Sequence, residues 1–241
     1  MKFTTAITQI KDGKESVRNH ALTDLIANNS FVQTIFLLLK KELPNAAQEK
    51  MCNALFTAVI DHGPGTASAM NARISASAGN SIHSSLAAGI LGFGARHGVA
   101  AQDAMTFFYD MEKVEHIASH LKTMKEQKKY APGFGHKIFT TDPRTEALFV
   151  VAKETNIFGN YCALVETVHK ELNAISSKPL PINVDGAIAA ILCDMDFSPI
   201  EGNAIFLIGR VPGLLAHCIE QTQSKEGILR ASENDVRYIG S

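Results

Sequence analysis

Apolar residues recur at helical spacing from Phe31 to the end of the chain, whereas the alternation expected of a half-buried strand is rare. One segment begins at Asn45, and Gln48 three residues later completes the pattern of a capping box. The apolar positions that follow share one helical face, so they predict a helix that ends near His62. The chain as a whole is therefore predicted to be nearly all-α.

Further segments with helical periodicity are separated by glycine and proline breaks. Asp142 and Pro143 form a good N-cap and N1 pair for one helix, and Asp185 opens another that is apolar on most sides. The segment 204–219 contains Pro212, which predicts either a kinked helix or two helices. The other predicted helices cover 81–91, 161–172 and one or two helices within 102–129.

The composition is that of a globular chain. Hydrophobic residues make up 46% of the 241 positions and charged residues 20%, which excludes a disordered or fibrous protein. This length allows either one large unit or two smaller lobes. The formal net charge is −1, so no overall basic field indicates nucleic acid or an anionic membrane surface as a partner.

The cysteines and the N-terminus bear on the cellular compartment. Four scattered cysteines form no C-x-x-C pair and no metal-ligand spacing, so we predict reduced core residues and no metal site. The N-terminal segment lacks an uninterrupted apolar stretch, and no later run reaches the ~18 apolar residues of a membrane span. The cytoplasm is the expected location. The cysteines are Cys52, Cys162, Cys193 and Cys218.

Three segments place a titratable side chain beside glycines or at the start of a buried helix. His97 follows a glycine break, His136 ends the loop 132–136, and Asp185 opens an apolar helix. Each has an ordinary structural interpretation, because a histidine beside glycines can cap a helix and a helix-opening aspartate is usually an N-cap. No P-loop, nucleophile elbow or dinucleotide fingerprint competes with them in the sequence.

Together these segments resemble the fingerprint of the citrate synthase superfamily. That fingerprint is a His-Gly after a glycine break, a P-G-F-G-H loop followed by D-P-R, and an N-V-D that opens an apolar helix. The three parts stand here in family order, at 97–98, at 132–136 with 142–144, and at 183–185. The resemblance covers residues 31–230 and is greatest to short citryl-CoA lyases and to the C-terminal lyase module of ATP-citrate lyase.

The resemblance implies that His97, His136 and Asp185 form the catalytic set. Chemistry at the methyl carbon of an acetyl thioester needs a base, donors for the developing enolate oxygen, and a ketone held nearby. Asp185 would be the base, and His97 would donate a hydrogen bond to the thioester oxygen. His136 would polarise the ketone in synthesis or accept the hydroxyl proton of a citryl group in cleavage.

The resemblance also implies binding residues for a small di- or tricarboxylate. Guanidinium groups bind carboxylates through two parallel hydrogen bonds, and the family uses arginines in this way. His62, Arg144 and Arg210 match the family's positions, and Arg230 matches the arginine that reaches across the dimer interface. Without the motif, Arg144 would be interpreted as a surface arginine, whereas Arg210 lies in too apolar a stretch for that.

Coenzyme A would enter as part of the substrate, and no tightly bound cofactor is implied. Four lysines precede the loop at 122, 125, 128 and 129. Such a run is most often a solvated helix face, and it could also attract the CoA phosphates. The residues that match the family's CoA-binding positions are Pro132, Gly133, Phe134, Gly135 and Lys137.

The implied architecture is an all-α, two-lobed helical fold. The large lobe would comprise 1–98 and 196–241, and the small lobe, 99–195, would carry the CoA-binding loop and close a cleft that holds the active site. A homodimer is expected, buried through helices near 31–39 and 81–91. A stable active monomer in gel filtration would contradict that expectation.

The preferred function is cleavage of citryl-CoA to acetyl-CoA and oxaloacetate, and a separate citryl-CoA synthetase would then be a partner. The short chain and the lyase-like segments 61–63 and 84–86 favour it. Citrate or methylcitrate synthesis is the main alternative, and a non-catalytic subunit that binds acyl-CoA or citrate is another. His97 leaves the direction open, because synthases keep this histidine whereas the ATP-citrate lyase module often carries another residue.

Overall fold

The computed structural model describes residues 2–135 and 141–240, so the predicted site residues His136 and Lys137 lie outside the described part. The chain divides into two compact units. The first unit comprises Met1–Leu55 and Ala101–Gly202, and the second comprises Phe56–Ala100 and Asn203–Ser241. The predicted lobes, 1–98 with 196–241 and 99–195 between them, were drawn with other boundaries and stay a prediction.

The described residues form eleven α-helices and one small antiparallel sheet, which confirms the predicted helical fold class. The sheet has the order β1-β2-β3 and stands at the N-terminus. Its strands are β1 (Thr8–Lys11), β2 (Lys14–Val17) and β3 (His20–Ala21). The helices are α1 (Leu22–Asn28), α2 (Phe31–Lys40), α3 (Ala46–Ala58), α4 (Ala67–Ser77), α5 (Ile82–Leu91), α6 (Ala100–Met111), α7 (Ile117–Glu126), α8 (Pro143–Glu154), α9 (Asn160–Ile175), α10 (Val184–Asp194) and α11 (Pro199–Gln223).

The small sheet is the element that periodicity missed. β1 and β2 pair in a register that sets Thr8 opposite Val17, and a two-residue turn at Asp12 and Gly13 joins them. Both turn residues have positive φ, 51° and 72°, which is the hairpin geometry that an Asp-Gly pair favours. Every β1 residue is exposed, so no apolar alternation marks the strand, and only the turn residues gave a signal.

Helix starts follow the predicted caps. Asn45 and Gln48 form the capping box, with each side chain accepting a hydrogen bond from the other residue's backbone N–H at 2.9 Å. α8 begins with Pro143 at N1 behind the N-cap Asp142. α3 ends at Ala58, four residues before the predicted end, because the chain turns before His62.

α10 forms the centre of the first unit. Its residues Val184 and 186–193 are all buried, as the continuous apolar pattern predicts. It packs against α8 and α9, which cover it. The helix that carries Asp185 is therefore held on several sides, and its first turn has a defined position.

The second unit is built on close packing between α4 and α5. A Cβ at Gly89 would lie 3.0 Å from the Cβ of Ala72, so the absence of a side chain lets the helices approach. Residues of α4 and α11, including Ala72, Leu214 and Cys218, form the core. α11 contains Pro212 yet is one continuous helix rather than two, because helix packing outweighs the lost hydrogen bond.

α11 is long and apolar enough to cross a membrane, but a core helix of a soluble protein has the same length and composition. Within its most apolar 18-residue window, 44% of the residues are buried by the rest of the chain. The four cysteines are buried free thiols, as predicted. Burial raises the pKa of the Cys52 and Cys193 thiols to about 12, so these thiols stay protonated at neutral pH.

Candidate active site

His97 closes a tight turn in the second unit, just beyond α5. The backbone N–H of Gly94 donates to the carbonyl oxygen of His97 at 2.7 Å, and the N–H of His97 donates back at 2.9 Å. The imidazole stacks on the Phe93 ring, with 5.1 Å between centroids. Gly98 has φ of 93°, and a Cβ there would lie 2.4 Å from the Phe93 ring, so this turn requires glycine after the histidine.

The side chain of His97 is held by a buried hydroxyl that sequence reasoning missed. Nε2 of His97 lies 2.9 Å from Oγ of Ser68, a fully buried residue of α4. Burial, with the nearby positive charge of Arg210, holds the pKa of His97 below its usual 6.5. A neutral imidazole has one N–H donor and one acceptor nitrogen, so His97 can donate a single directed hydrogen bond at neutral pH.

Arg210 is buried within α11, with only 5% of its surface exposed. Its Nε donates to the carbonyl oxygen of Val59 at 2.6 Å, and its guanidinium lies 5.0 Å from the centroid of the Phe206 ring. These contacts orient the guanidinium, and its positive charge helps to lower the pKa of His97. The second unit therefore brings together two of the predicted site residues, one cationic and one neutral.

His62 and Arg230 are the other predicted site residues of the second unit, and both are exposed. Asp61, beside His62, accepts a hydrogen bond from the backbone N–H of Gly63 at 2.9 Å and pairs with Nε2 of His217 at 3.0 Å. These contacts order the turn that presents His62. Arg230 follows α11 and lines a groove of about 600 Å³ in which Met70 and Ile74 are exposed apolar residues.

In the first unit, hydrogen bonds join the glycine loop, whose described residues are 132–135, to the residues that open α10. The N–H of Asn183 donates to the carbonyl oxygen of Gly133 at 3.1 Å, and the Asn183 side-chain amide donates to that of Gly135, also at 3.1 Å. The N–H of Gly135 donates to the carbonyl oxygen of Pro181 at 2.7 Å. Two sequence motifs 48 residues apart thus form one structural element immediately before His136.

Asp185 is the second residue of α10 and is half-buried. The helix is capped by Asn183, whose side-chain oxygen accepts from the N–H of Gly186 at 3.0 Å. Burial, with the negative charge of Asp185, raises the pKa of Tyr130, and the Tyr130 hydroxyl donates to the carbonyl oxygen of Phe134 at 2.9 Å. The positive end of the helix dipole favours a carboxylate at this position.

Asp142 holds the predicted carboxylate-binding Arg144. Its oxygens accept from Nε and Nη2 of Arg144 at 3.1 and 2.8 Å and from the Arg144 backbone N–H at 3.0 Å. They also accept from the backbone N–H of Val184 at 3.2 Å. Burial alone would raise the pKa of Asp142, but hydrogen bonds and charge from Arg144 outweigh it, so the pKa is lowered and the group is ionised at neutral pH.

A mostly apolar cavity of about 370 Å³ lies beside the glycine loop in the first unit. Phe134 of the loop lines it, and three of the four predicted lysines, at positions 125, 128 and 129, stand around it. Lys125 also donates to the carbonyl oxygen of Ile175 at the end of α9. The other lining residues are Leu121, Met124, Tyr130, Ala131, Leu172, Ile175, Ser176 and Leu180.

The predicted site residues thus fall into two groups. The first unit holds Asp185, Arg144 and the loop 132–135, joined by hydrogen bonds through Asn183 and Asp142. The second unit holds His97, His62, Arg210 and Arg230. Across residues 2–135 and 141–240, no group of three or more His, Cys, Asp or Glu side chains could hold a metal ion.

Comparison with known proteins gives a consistent picture. A family model described as citrate synthase, C-terminal domain, matches residues 44–232. The structure of citryl-CoA lyase from Hydrogenobacter thermophilus is 41% identical, with a TM-score of 0.94 over 99% of this chain and 95% of that one. ATP citrate lyase from Methanothrix soehngenii, solved with citrate and coenzyme A, is 25% identical, with a TM-score of 0.88 over 100% of this chain and 42% of that one.

Among curated sequences, ATP-citrate synthase subunit 1 from Sordaria macrospora is 32% identical over 224 residues. The match covers 84% of this chain and 32% of that protein. The chain therefore spans about a third of the length of this relative, whereas it matches the Hydrogenobacter protein nearly end to end.

Proposed function

The chain belongs to the citrate synthase family, and on that premise we propose that it cleaves citryl-CoA to acetyl-CoA and oxaloacetate. One observation carries the proposal: the match to citryl-CoA lyase extends over nearly the whole of both chains at 41% identity. The described side chains support it, because buried neighbours hold the imidazole of His97, the guanidinium of Arg210 and the first turn of the helix that carries Asp185.

In the proposed reaction, His136 removes the proton of the citryl hydroxyl. The oxygen then forms the ketone of oxaloacetate as the bond between the carbinol carbon and the thioester α-carbon breaks. The electron pair of that bond becomes the enolate of acetyl-CoA, and a hydrogen bond from neutral His97 stabilises the enolate oxygen. Asp185, in its acid form, returns a proton to the α-carbon. In the reverse direction Asp185 is the base, as microscopic reversibility requires.

The carboxylates of the citryl group need cationic partners, and we propose that Arg144, Arg210, Arg230 and His62 bind them. Arg144 and Arg210 support this role best, because other residues already hold Nε of each guanidinium. An arginine ordered in advance loses less conformational entropy when a carboxylate binds.

Coenzyme A is proposed to lie along the glycine loop, with the cavity beside it receiving the adenosine end. Adenine is apolar on both faces, which suits a lining of leucine, methionine and phenylalanine side chains. The phosphates would then lie near the lysines at 125, 128 and 129. Lys137, outside the described residues, is proposed as a further phosphate ligand.

Synthesis of citrate or methylcitrate is the alternative, because His97, which synthases keep, is present. An assay with citryl-CoA separates the two reactions. A lyase releases oxaloacetate and acetyl-CoA with no free thiol, whereas a synthase hydrolyses the thioester and releases citrate and free CoA. We expect oxaloacetate, measured by coupled reduction to malate, to form faster than thiol. Thiol release that outpaces oxaloacetate would establish the synthase instead.

We further propose a homodimer and a separate supplier of citryl-CoA. Leu91 and Phe31, on the two predicted interface helices, are 83% and 79% exposed, and a dimer contact through these helices would remove their apolar surface from water. Sedimentation velocity distinguishes the dimer from an active monomer. Citryl-CoA is a thioester, and joining a carboxylate to the thiol of CoA consumes energy, so the proposed supplier is a separate citryl-CoA synthetase.

Replacing Ser68 with alanine is expected to lower kcat for citryl-CoA cleavage about tenfold while removing about 1 kcal/mol of stability. The hydroxyl is the buried partner of Nε2 of His97, so its loss frees the imidazole to rotate. The measurement is kcat at pH 7.5 alongside thermal unfolding. Ser198→Ala is the control, because its hydroxyl bonds the side chain and the backbone N–H of Glu201 at the start of α11 instead. Equal kinetics in the two variants would contradict a role for Ser68.

A further inference from the structure

Asp142 connects two functional groups of the first unit through one carboxylate. Its side chain is 0% exposed, and both oxygens accept hydrogen bonds. Oδ1 accepts from the N–H and Nε of Arg144, and Oδ2 accepts from Nη2 of Arg144 and the N–H of Val184. Val184 directly precedes Asp185. One buried group therefore contacts both the arginine and the first turn of the helix that carries the base.

The pairing with Arg144 explains why the charge can be buried. An ionised carboxylate out of contact with water is strongly unfavourable unless it is paired and fully hydrogen-bonded. The bidentate contact of 3.1 and 2.8 Å holds the Nε–Nη2 edge of the planar guanidinium on Asp142. Because the group is rigid, this contact also sets the direction of the remaining nitrogen, Nη1.

The hydrogen bond from the N–H of Val184 to Asp142 fixes the start of α10. The N–H groups of a helix's first turn have no partner within the helix, and Asn183 already accepts from the N–H of Gly186. Asp142 accepts from the N–H of Val184 and so holds the start of α10 from a different segment of the chain, 42 residues away. A displacement of this turn would move Asp185 directly.

We infer that Asp142 is a positioning residue that couples carboxylate recognition by Arg144 to the placement of Asp185. The inference rests on the proposed function, since it takes citryl-CoA cleavage as the reaction. Asp142 does more than cap α8, the role that the sequence alone gives it. One ionised carboxylate thus orients the guanidinium of Arg144 and holds the helix turn that carries Asp185.

Two substitutions separate the two contacts. Asp142→Asn removes the negative charge that the donors of Arg144 and Val184 share, and in either orientation its amide N–H₂ replaces an oxygen that accepts from Arg144, so it weakens both contacts. Val184→Pro removes the backbone N–H that donates to Asp142 and keeps a small apolar side chain at this buried position, and proline is well tolerated at the first position of a helix. Asn183 already has the extended backbone, φ −86° and ψ 173°, that a following proline requires.

Asp194 offers a matched control. Its carboxylate accepts from the backbone N–H groups of Gly159, Tyr161 and Cys162 at 2.9, 2.8 and 3.0 Å, and so holds the start of α9. Like Asp142, it serves a helix start from a distant segment, but none of the predicted site residues is among these contacts. Asp194→Asn therefore reports what the loss of such a carboxylate does to stability alone.

The experiment measures kcat and KM for citryl-CoA in the three variants at a temperature where all are folded. We expect Asp142→Asn to raise KM at least tenfold and to lower kcat at least tenfold. Val184→Pro should lower kcat and leave KM within twofold of wild type. Asp194→Asn should change neither constant by more than twofold. Adding Asp142→Asn to Arg144→Gln should raise KM little further, because both act through one guanidinium. Kinetics of Asp142→Asn and Val184→Pro that match Asp194→Asn would overturn the inference.

A measurement of oxaloacetate binding, which needs no turnover, tests this inference separately from the proposed function. Oxaloacetate binding should raise the melting temperature of the wild-type chain and of Asp194→Asn, and it should do so much less in Asp142→Asn. If wild type fails to cleave citryl-CoA but shows this contrast, the proposed reaction is wrong and the orientation of Arg144 by Asp142 stands. If wild type cleaves citryl-CoA and the contrast is absent, Asp142 does not position Arg144.

Discussion

Citryl-CoA cleavage by Asp185→Asn is expected to be about 100- to 10,000-fold slower than by the wild-type chain. The amide has the shape of the carboxyl group but cannot exchange a proton with the α-carbon. Asp185 is half-buried at the second position of α10, a helix whose first turn is held by Asn183 and Asp142. The measurement is single-turnover oxaloacetate release, which isolates the chemical step from product release.

The control for this variant is the binding of CoA, measured by calorimetry, which should remain within twofold of wild type. The proposed CoA site is built from the glycine loop and the cavity beside it, and Asn183 and Pro181 hold the described part of that loop by hydrogen bonds. Unchanged turnover in a variant that binds CoA would remove Asp185 from the catalytic set. A wild-type chain that binds CoA without turnover would instead indicate the non-catalytic subunit considered above.

Local signals predicted the helical framework well because they act over three or four residues. The capping box at Asn45 and the N-cap at Asp142 each involve contacts within one turn, so the sequence alone indicates them. The N-terminal hairpin had a local signal too, in Asp12 and Gly13. It was missed because its strands bury no apolar face, and periodicity detects only elements that do.

The partners of the predicted site residues could not be predicted in the same way. Ser68 lies 29 residues before His97, and Asp142 lies 42 residues before Val184. Such pairs depend on how helices pack, which no spacing of residues in the chain encodes. Motifs therefore identified the groups that would meet the substrate, whereas the structure identified the buried residues that orient those groups.

Gly186→Ala is expected to lower the free energy of unfolding by about 2–3 kcal/mol, although helix propensity predicts the opposite sign. In an open helix the change would stabilise by up to about 1 kcal/mol, because alanine restricts the unfolded chain more than glycine does. Here a Cβ would lie 2.3 Å from the carbonyl oxygen of Gly133 and 3.0 Å from its Cα. Backbone, unlike a flexible side chain, cannot rotate away from such a contact.

The same contact predicts a loss of activity. Gly133 has φ of 89°, accepts a hydrogen bond from Asn183, and has the Phe108 ring close behind it, so the loop can yield only by moving away from α10. That loop leads directly to His136, and a displacement of about 1 Å in a catalytic group can slow a reaction about 100-fold. The melting temperature and kcat should therefore fall together.

Gly65→Ala is the control, since no atom lies within 4 Å of a Cβ there. It should change the free energy of unfolding by less than about 0.5 kcal/mol and leave kcat unaltered. If Gly186→Ala were as stable and as active as this control, loop 132–135 would not depend on its contact with α10. A Gly186→Ala variant that is less stable and less active than this control would show that Gly186 is required because the backbone of Gly133 occupies the space of a side chain. It would also show that this one contact places both the helix turn of Asp185 and the loop before His136.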